Sequence, residues 1–115
     1  METGFWSAID QLVAESRVQI DRPKGSAHPK FPDCIYPVDY GYLAGTSSMD
    51  EEGIDLWLGT SGSNQVCAVI CTVDLLKRDS EIKLLISCTP EEVQRIMTFH
   101  NDSPYMKGIL IERKV

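Results

Sequence analysis

Asp50-Glu51-Glu52-Gly53-Ile54-Asp55-Leu56-Trp57-Leu58, residues 50–58, is the stretch from which the rest of the chain is read. Its second half alternates: Ile54, Leu56 and Leu58 share one face of an extended strand, and Asp55 and Trp57 share the other, because successive side chains of a strand point to opposite sides. Asp55 is therefore expected on a strand rather than on a floppy loop. The first half is an acidic loop that places Asp50, Glu52 and Asp55 at its first, third and sixth positions. Hard divalent cations take several oxygen ligands, and carboxylates at a loop-to-strand junction supply them at fixed positions. Taken alone, the same stretch also reads as a solvated acidic turn. An EF-hand does not fit, since its longer ligand series and terminal Glu are missing.

Downstream, Val66 to Leu76 is apolar on both faces, as expected of a central strand covered on two sides. Asp79, Glu81 and Lys83 then stand two residues apart as the chain enters a strand over Ile82 to Ile86. If the strand extends that far, all three point to one face and line one wall with two carboxylates and an ammonium. An ordinary charged strand edge is the plainer alternative.

Upstream, Ile35-Tyr36-Pro37-Val38-Asp39-Tyr40-Gly41-Tyr42 carries three tyrosines, readable as core and rim aromatics or as phenolic donors to phosphate oxygens. Gly41, between Tyr40 and Tyr42, marks a strand position where a backbone or a ligand comes close. The preceding Lys24 to Pro37 is a loop rich in Pro and Gly, and its Lys24, His28 and Lys30 form a basic surplus in an otherwise acidic chain.

The remaining elements follow from local signals. Phe5, Trp6, Ile9, Leu12 and Val13 recur at helical spacing and predict a short amphipathic helix. Arg17 to Arg22 alternates towards a strand that Pro23 ends. Thr89-Pro90-Glu91-Glu92 opens a helix running to about Phe99: Thr89 caps it, Pro90 suits its first turn and Glu92 closes a capping box. Ile109 to Ile111 reads as a last edge strand or as an arm on a neighbour.

With 115 residues, 43% of them hydrophobic and 24% charged, the chain is expected to form one compact globular domain over residues 1–115. A net charge of -6 argues against a surface built to neutralise nucleic-acid phosphates; an acidic protein that binds a polyanion needs metal ions between them. No apolar run reaches the ~20 residues that span a bilayer. Met1 to Ser16 carries acids where a secretory leader carries bases, so the expected compartment is the cytoplasm, with no membrane partner. Cys34, Cys67, Cys71 and Cys88 form no C-x-x-C pair and read as reduced, buried thiols. His28 and His100 are too isolated for a structural zinc site.

In order along the chain stand Asp-Arg-Pro from Asp21, His-Pro from His28, Tyr-Pro-x-x-Tyr-Gly-Tyr from Tyr36 to Tyr42, a loop with Thr46, Asp-x-Glu-x-x-Asp from Asp50 to Asp55, and Asp-x-Glu-x-Lys from Asp79 to Lys83. Together these resemble the soluble metal-dependent inorganic pyrophosphatases, most of all their short bacterial form, over roughly Ile20 to Ile86. The resemblance implies an α+β, mainly β fold: a small five-stranded OB-like barrel with an N-terminal and a C-terminal helix. It also implies hydrolysis of pyrophosphate by an activated water, with several magnesium ions per site and manganese as a substitute, in a homo-oligomer.

Carried over by position, Asp50, Asp55 and Glu81 would hold a first metal, and Asp55 would share a second. Asp79 would join Glu81 on a third, and Asp21 would help to hold a further one. Glu52 falls at the general base, so that Glu52, Asp55 and Tyr40 form the catalytic set. Tyr40, Lys83, Lys30 and His28 would contact phosphate. The chain departs from the family in carrying Glu where many members have Asp at position 52, in lacking the hairpin with a phosphate-binding Lys and Glu before the Tyr-Pro stretch, and in having Phe99-His100-Asn101 near the place of a Tyr-Lys pair. These departures admit two alternatives, a hydrolase of another phosphoanhydride and a noncatalytic metal- or anion-binding module.

Overall fold

The computed structural model describes residues 2–48 and 52–114. Asp50, one of the expected metal ligands, lies outside the described residues. The elements run α1 (Glu2–Ala14), β1 (Arg17–Arg22), β2 (Asp39–Ala44), β3 (Ile54–Leu58), β4 (Val66–Asp74), β5 (Asp79–Ile86), α2 (Pro90–Asn101) and β6 (Met106–Glu112). The strands make one sheet in the order β1-β2-β3-β5-β4-β6. β3 and β5 run parallel, through Leu56↔Leu84, Trp57↔Leu85 and Leu58↔Ile86, and the other neighbours in the sheet are antiparallel.

The mainly β, OB-like architecture with a helix near each end matches the expectation, with two differences. The described residues form six strands rather than five, because β6 pairs along β4 from Ala68↔Glu112 to Asp74↔Met106. Among the described residues, β1 and β6 stay as two edges and the pairing does not close into a ring. β4 also stops at Asp74, two residues short of the expected Leu76. Its Oδ1 accepts the main-chain N–H groups of Leu76 (2.9 Å) and Lys77 (3.1 Å), which turns the chain before the strand can continue.

The period of two in the strands sorts the apolar residues onto the two faces. On one face, Trp6, Ile9, Leu12 and Val13 of α1 cover Leu43, Leu56, Val69 and Leu84. On the other, Val93, Ile96 and Met97 of α2, with Tyr36 and Val38 of the loop before β2, cover Trp57, Ala68, Ile70 and Leu85. Each fully buried side chain of this kind contributes roughly 1.5–3 kcal/mol relative to exposure. The cover from α1 ends partway across: Val73, Ile82, Ile109 and Ile111 on β4, β5 and β6 are 50%, 44%, 66% and 41% exposed. Since Cys71 pairs with both Ile82 and Ile109, these residues form one apolar strip across three strands.

Three local devices hold the frame. At Gly41 the added Cβ of any other residue would sit 1.9 Å from the Gln19 carbonyl oxygen, so β1 presses on β2 there. At the start of α2, Thr89 Oγ1 accepts the Glu92 N–H (3.2 Å) while Glu92 Oε1 accepts the Thr89 N–H (2.8 Å), the expected capping box. Glu92 reaches further: its carboxylate also accepts the Thr60 N–H and hydroxyl, both at 3.0 Å, and ties the chain leaving β3 to the helix.

At the end of α2, Asn101 Nδ2 donates to the carbonyls of Met97 (2.9 Å) and Gly108 (3.2 Å), and Asn101 Oδ1 accepts the Gly108 N–H (3.0 Å). One amide thus satisfies both main-chain groups of a residue at the centre of an edge strand, which blocks that edge against a foreign strand. Asn101→Ala is expected to lower stability by about 1–3 kcal/mol, the cost of leaving such groups unmade, and to bring on association that grows with concentration. Urea unfolding and light scattering check this; an unchanged midpoint with no association would mean that the plug is idle. Among the described residues no helix is long and apolar enough to cross a membrane.

Candidate active site

Register alone brings the central side chains together. Tyr42 stands opposite Asp55 and Tyr40 opposite Trp57, so Tyr40 and Asp55 are diagonal neighbours on the face that carries α2. Trp57 stands beside Leu85 in the parallel pair. Two residues back along each strand, Asp55 and Lys83 therefore lie side by side on that same face, and Glu81 follows Lys83 two residues earlier.

The contacts close around Lys83. Its Nζ donates to Asp55 Oδ2 (2.8 Å), the Tyr40 hydroxyl oxygen (3.0 Å) and Glu81 Oε2 (3.2 Å). The Tyr40 hydroxyl in turn donates to Asp55 Oδ2 at 2.7 Å. All three ammonium hydrogens are engaged, as they must be for a cation only 5% exposed. Burial by itself would pull the Lys83 pKa down, but Tyr40 and Asp55 outweigh it and hold it above the ordinary lysine value. Burial pushes the Tyr40 phenol far up, so it stays a neutral donor at any working pH.

Glu81 Oε1 is buried and has no hydrogen-bond partner among the described residues. An orphaned carboxylate oxygen is costly, by about 1–3 kcal/mol or more for a charged group, unless a cation or donor reaches it. Two carboxylates with hard oxygens, one of them orphaned, fit a divalent cation of the magnesium type. No group of three or more His, Cys, Asp or Glu converges among the described residues, and Asp50 stands outside them.

The other expected residues are placed less tightly. Asp79 opens β5 on the face of Glu81, about 7 Å further along the strand at 3.3 Å per residue, opposite Asp74 at the hairpin end. Asp21 is exposed in β1, at the irregularity between Ile20 and Arg22. Glu52 is exposed just before Gly53, whose φ of 114° turns the chain into β3. The His28 Nδ1 accepts the Lys30 N–H at 3.0 Å. The His28 ring lies parallel to Tyr36 at 6.3 Å, and Tyr36 lies 5.4 Å from Tyr40, so His28 approaches the cluster only through another ring. Burial lowers the pKa of His28, with Arg22 adding to the effect. Lys30 instead lines an open groove of about 810 Å³ between the 30–37 loop and α2, with Phe31, Arg95 and Phe99. The groove is not at the carboxylate cluster.

Sequence reasoning missed two residues. Arg22 stands opposite Tyr40 in the sheet and donates to the Tyr36 hydroxyl, which makes it the cation of β1 nearest the tyrosines. The Asp-Arg-Pro signature contained it, but its strand register was needed to place it. The second is His100, whose Nε2 accepts the Trp57 indole N–H at 3.0 Å. A histidine in the last turn of an amphipathic helix, facing a core with one indole N–H to satisfy, was the available signal.

No family model matches the chain, and no curated protein matches its sequence. Solved structures do match in fold. The inorganic pyrophosphatase from Helicobacter pylori superposes with a TM-score of 0.55 at 16% identity, over 86% of this chain and 84% of that one. The inorganic pyrophosphatase from Coxiella burnetii gives a TM-score of 0.55 at 13% identity, over 84% of each chain. The fold is that of the bacterial inorganic pyrophosphatases.

Proposed function

We propose, from a chain that has the fold of bacterial inorganic pyrophosphatases, that it hydrolyses inorganic pyrophosphate to two phosphates with magnesium, or manganese in its place. The observation that carries the proposal is the meeting of Asp55, Glu81, Tyr40 and Lys83 on one sheet face, with a buried Glu81 oxygen that has no partner among the described residues. Asp55 and Glu81, with Asp50 and Asp79 from the same loop and strand, would hold the metal ions, and Asp21 would help with a further one. When bound, magnesium supplies charge neutralisation and a water acidic enough to attack at neutral pH.

The chain's own groups do the remaining work. Glu52 takes the proton from the attacking water. Tyr40, kept neutral by burial, donates a hydrogen bond to a phosphate oxygen or holds Asp55 in place. Lys83, engaged by Asp55 and Glu81, would present its ammonium to the departing phosphate, where developing charge needs stabilising. His28 and Lys30, with Arg22 closer in, add positive charge along the approach. The 115 residues work as one pyrophosphatase-like domain in the cytoplasm, on pyrophosphate and not on nucleic acid or membrane. The uncovered strip of Val73, Ile82, Ile109 and Ile111 supports a homo-oligomer.

Phosphate release from pyrophosphate, with and without magnesium, tests the proposal. Magnesium-dependent turnover by the parent that is lost in Asp55→Asn and Asp79→Asn is expected. Parent activity no higher than that of both variants would sink the enzyme reading and leave a noncatalytic binding module. A second reading, hydrolysis of a larger phosphoanhydride, is admitted by the shortened basic loop before the Tyr-Pro stretch. Nucleoside triphosphates run in parallel separate it from the first.

A further inference from the structure

We infer that His100 is a positioning residue for the site, acting through Trp57 to fix the Tyr40 ring over Asp55 and Lys83; the inference rests on the hydrolase reading above. Trp57 is fully buried, with 0% exposure, and its one polar atom donates to His100 Nε2 at 3.0 Å. That bond leaves the His100 proton on Nδ1, which faces the Met106 sulfur at 3.1 Å. Burial, helped by the charge of Lys83, holds the His100 pKa down at about 3, so the ring is neutral and Nε2 remains an acceptor.

Trp57 sits two residues after Asp55 on the same strand face and directly opposite Tyr40. Its ring meets that of Tyr40 nearly edge-on, with centroids 4.6 Å apart and planes at 65°. Phe99 at 5.2 Å and Tyr36 at 5.8 Å close the other sides of the indole. The Tyr40 hydroxyl must reach Asp55 and Lys83 at once, so a small tilt of its ring would break one of the two contacts. With a single hydrogen bond, His100 sets the rotation of the indole against which that ring rests. The same bond ties α2 to the reaction face of the sheet.

If His100 only filled the core, its replacement would lower stability and leave catalysis alone. The test compares His100→Phe, which keeps a ring but removes the acceptor, with His100→Gln, which keeps an acceptor, and with Trp57→Phe, which removes the donor. Steady-state pyrophosphate hydrolysis with magnesium, urea unfolding and the NMR signals of the Trp57 indole proton and the Tyr40 ring are read for each. His100→Phe and Trp57→Phe are expected to lower kcat on the order of tenfold, inside the hundredfold that an ångström of misplacement can cost, with KM little changed. His100→Gln restores most of kcat. Parent kcat in both ring variants, whatever their stability, overturns the inference. Should His100→Phe fail to fold, Trp57→Phe and His100→Gln carry the comparison. If the parent does not hydrolyse pyrophosphate, the hydrolase reading fails by itself. The spectra then decide the inference: because Trp57→Phe moves the Tyr40 signals through the lost indole ring current alone, the comparison rests on His100, and Tyr40 signals that move in His100→Phe but not in His100→Gln uphold it, while Tyr40 signals unmoved in His100→Phe overturn it.

Discussion

Asp55→Asn is expected to cut magnesium-dependent phosphate release on the order of a thousandfold, equivalent to about 4 kcal/mol of transition-state stabilisation, and to leave the fold intact. The substitution is isosteric, and an amide oxygen can still accept from Tyr40 and Lys83, which donate to Oδ2 at 2.7 and 2.8 Å. What disappears is one negative charge at the centre of the cluster. A neutral amide is a poor ligand for a hard cation, and Lys83 loses its closest counter-charge. Saturating magnesium cannot replace that charge, so the loss should appear in kcat as well as in the magnesium dependence. Phosphate release measured over a magnesium series, with overlaid circular dichroism spectra, decides the matter. Activity within tenfold of the parent would place the chemistry elsewhere.

Lys83→Met should have the largest effect on stability, about 3–5 kcal/mol, the usual cost of removing one partner from a buried ion pair. The methionine fits the volume, but Asp55 and Glu81 are left facing each other with the ammonium between them gone. The sign of the pH dependence follows from the direction of the shift. The Lys83 pKa in the fold is raised above its unfolded value, so its contribution is complete below the ordinary lysine pKa of about 10.4 and is lost as pH rises through the higher folded value. Parent and variant should therefore differ by a constant amount from pH 6 to 9 on this account. Magnesium should raise the melting temperature of the variant more than that of the parent, because a cation between the two carboxylates replaces the missing ammonium. A melting temperature indifferent to magnesium in both proteins would mean that the pair holds no cation.

Much of the frame follows from short-range pattern. The alternation at Ile54 to Leu58 gave Asp55 its face, and the spacing of Asp79, Glu81 and Lys83 placed all three on one face once β5 was found to begin at Asp79. Thr89 and Glu92 form the cap their spacing predicts. Less legible were features set by partners distant in the chain. The extent of β6 depends on β4, and the neighbours of Arg22 depend on where β1 meets β2. The 43 residues separating Trp57 from His100 carry no local sign that the two share a hydrogen bond. Lys30 shows the opposite failure. A basic loop beside tyrosines suggested convergence, but the fold turns that lysine towards the groove along α2.

The order of the strands bears on how the molecule is made. β1, β2 and β3 form a meander from the first half of the chain, and β4 and β5 form a hairpin from the second. Among the described residues the two meet in the sheet through three paired residues on each side, in the parallel seam of β3 and β5. Tyr40 and Asp55 come from one half, Glu81 and Lys83 from the other. Each half can gather its own neighbours early, while parallel pairing across a long chain segment is slow. The cluster therefore exists only after the halves have docked, and any opening of the seam separates its carboxylates before either half unfolds. Hydrogen exchange at the Leu84 amide, which faces β3, compared with the Leu85 amide, which faces β4 within the β4–β5 hairpin, would report how often that happens.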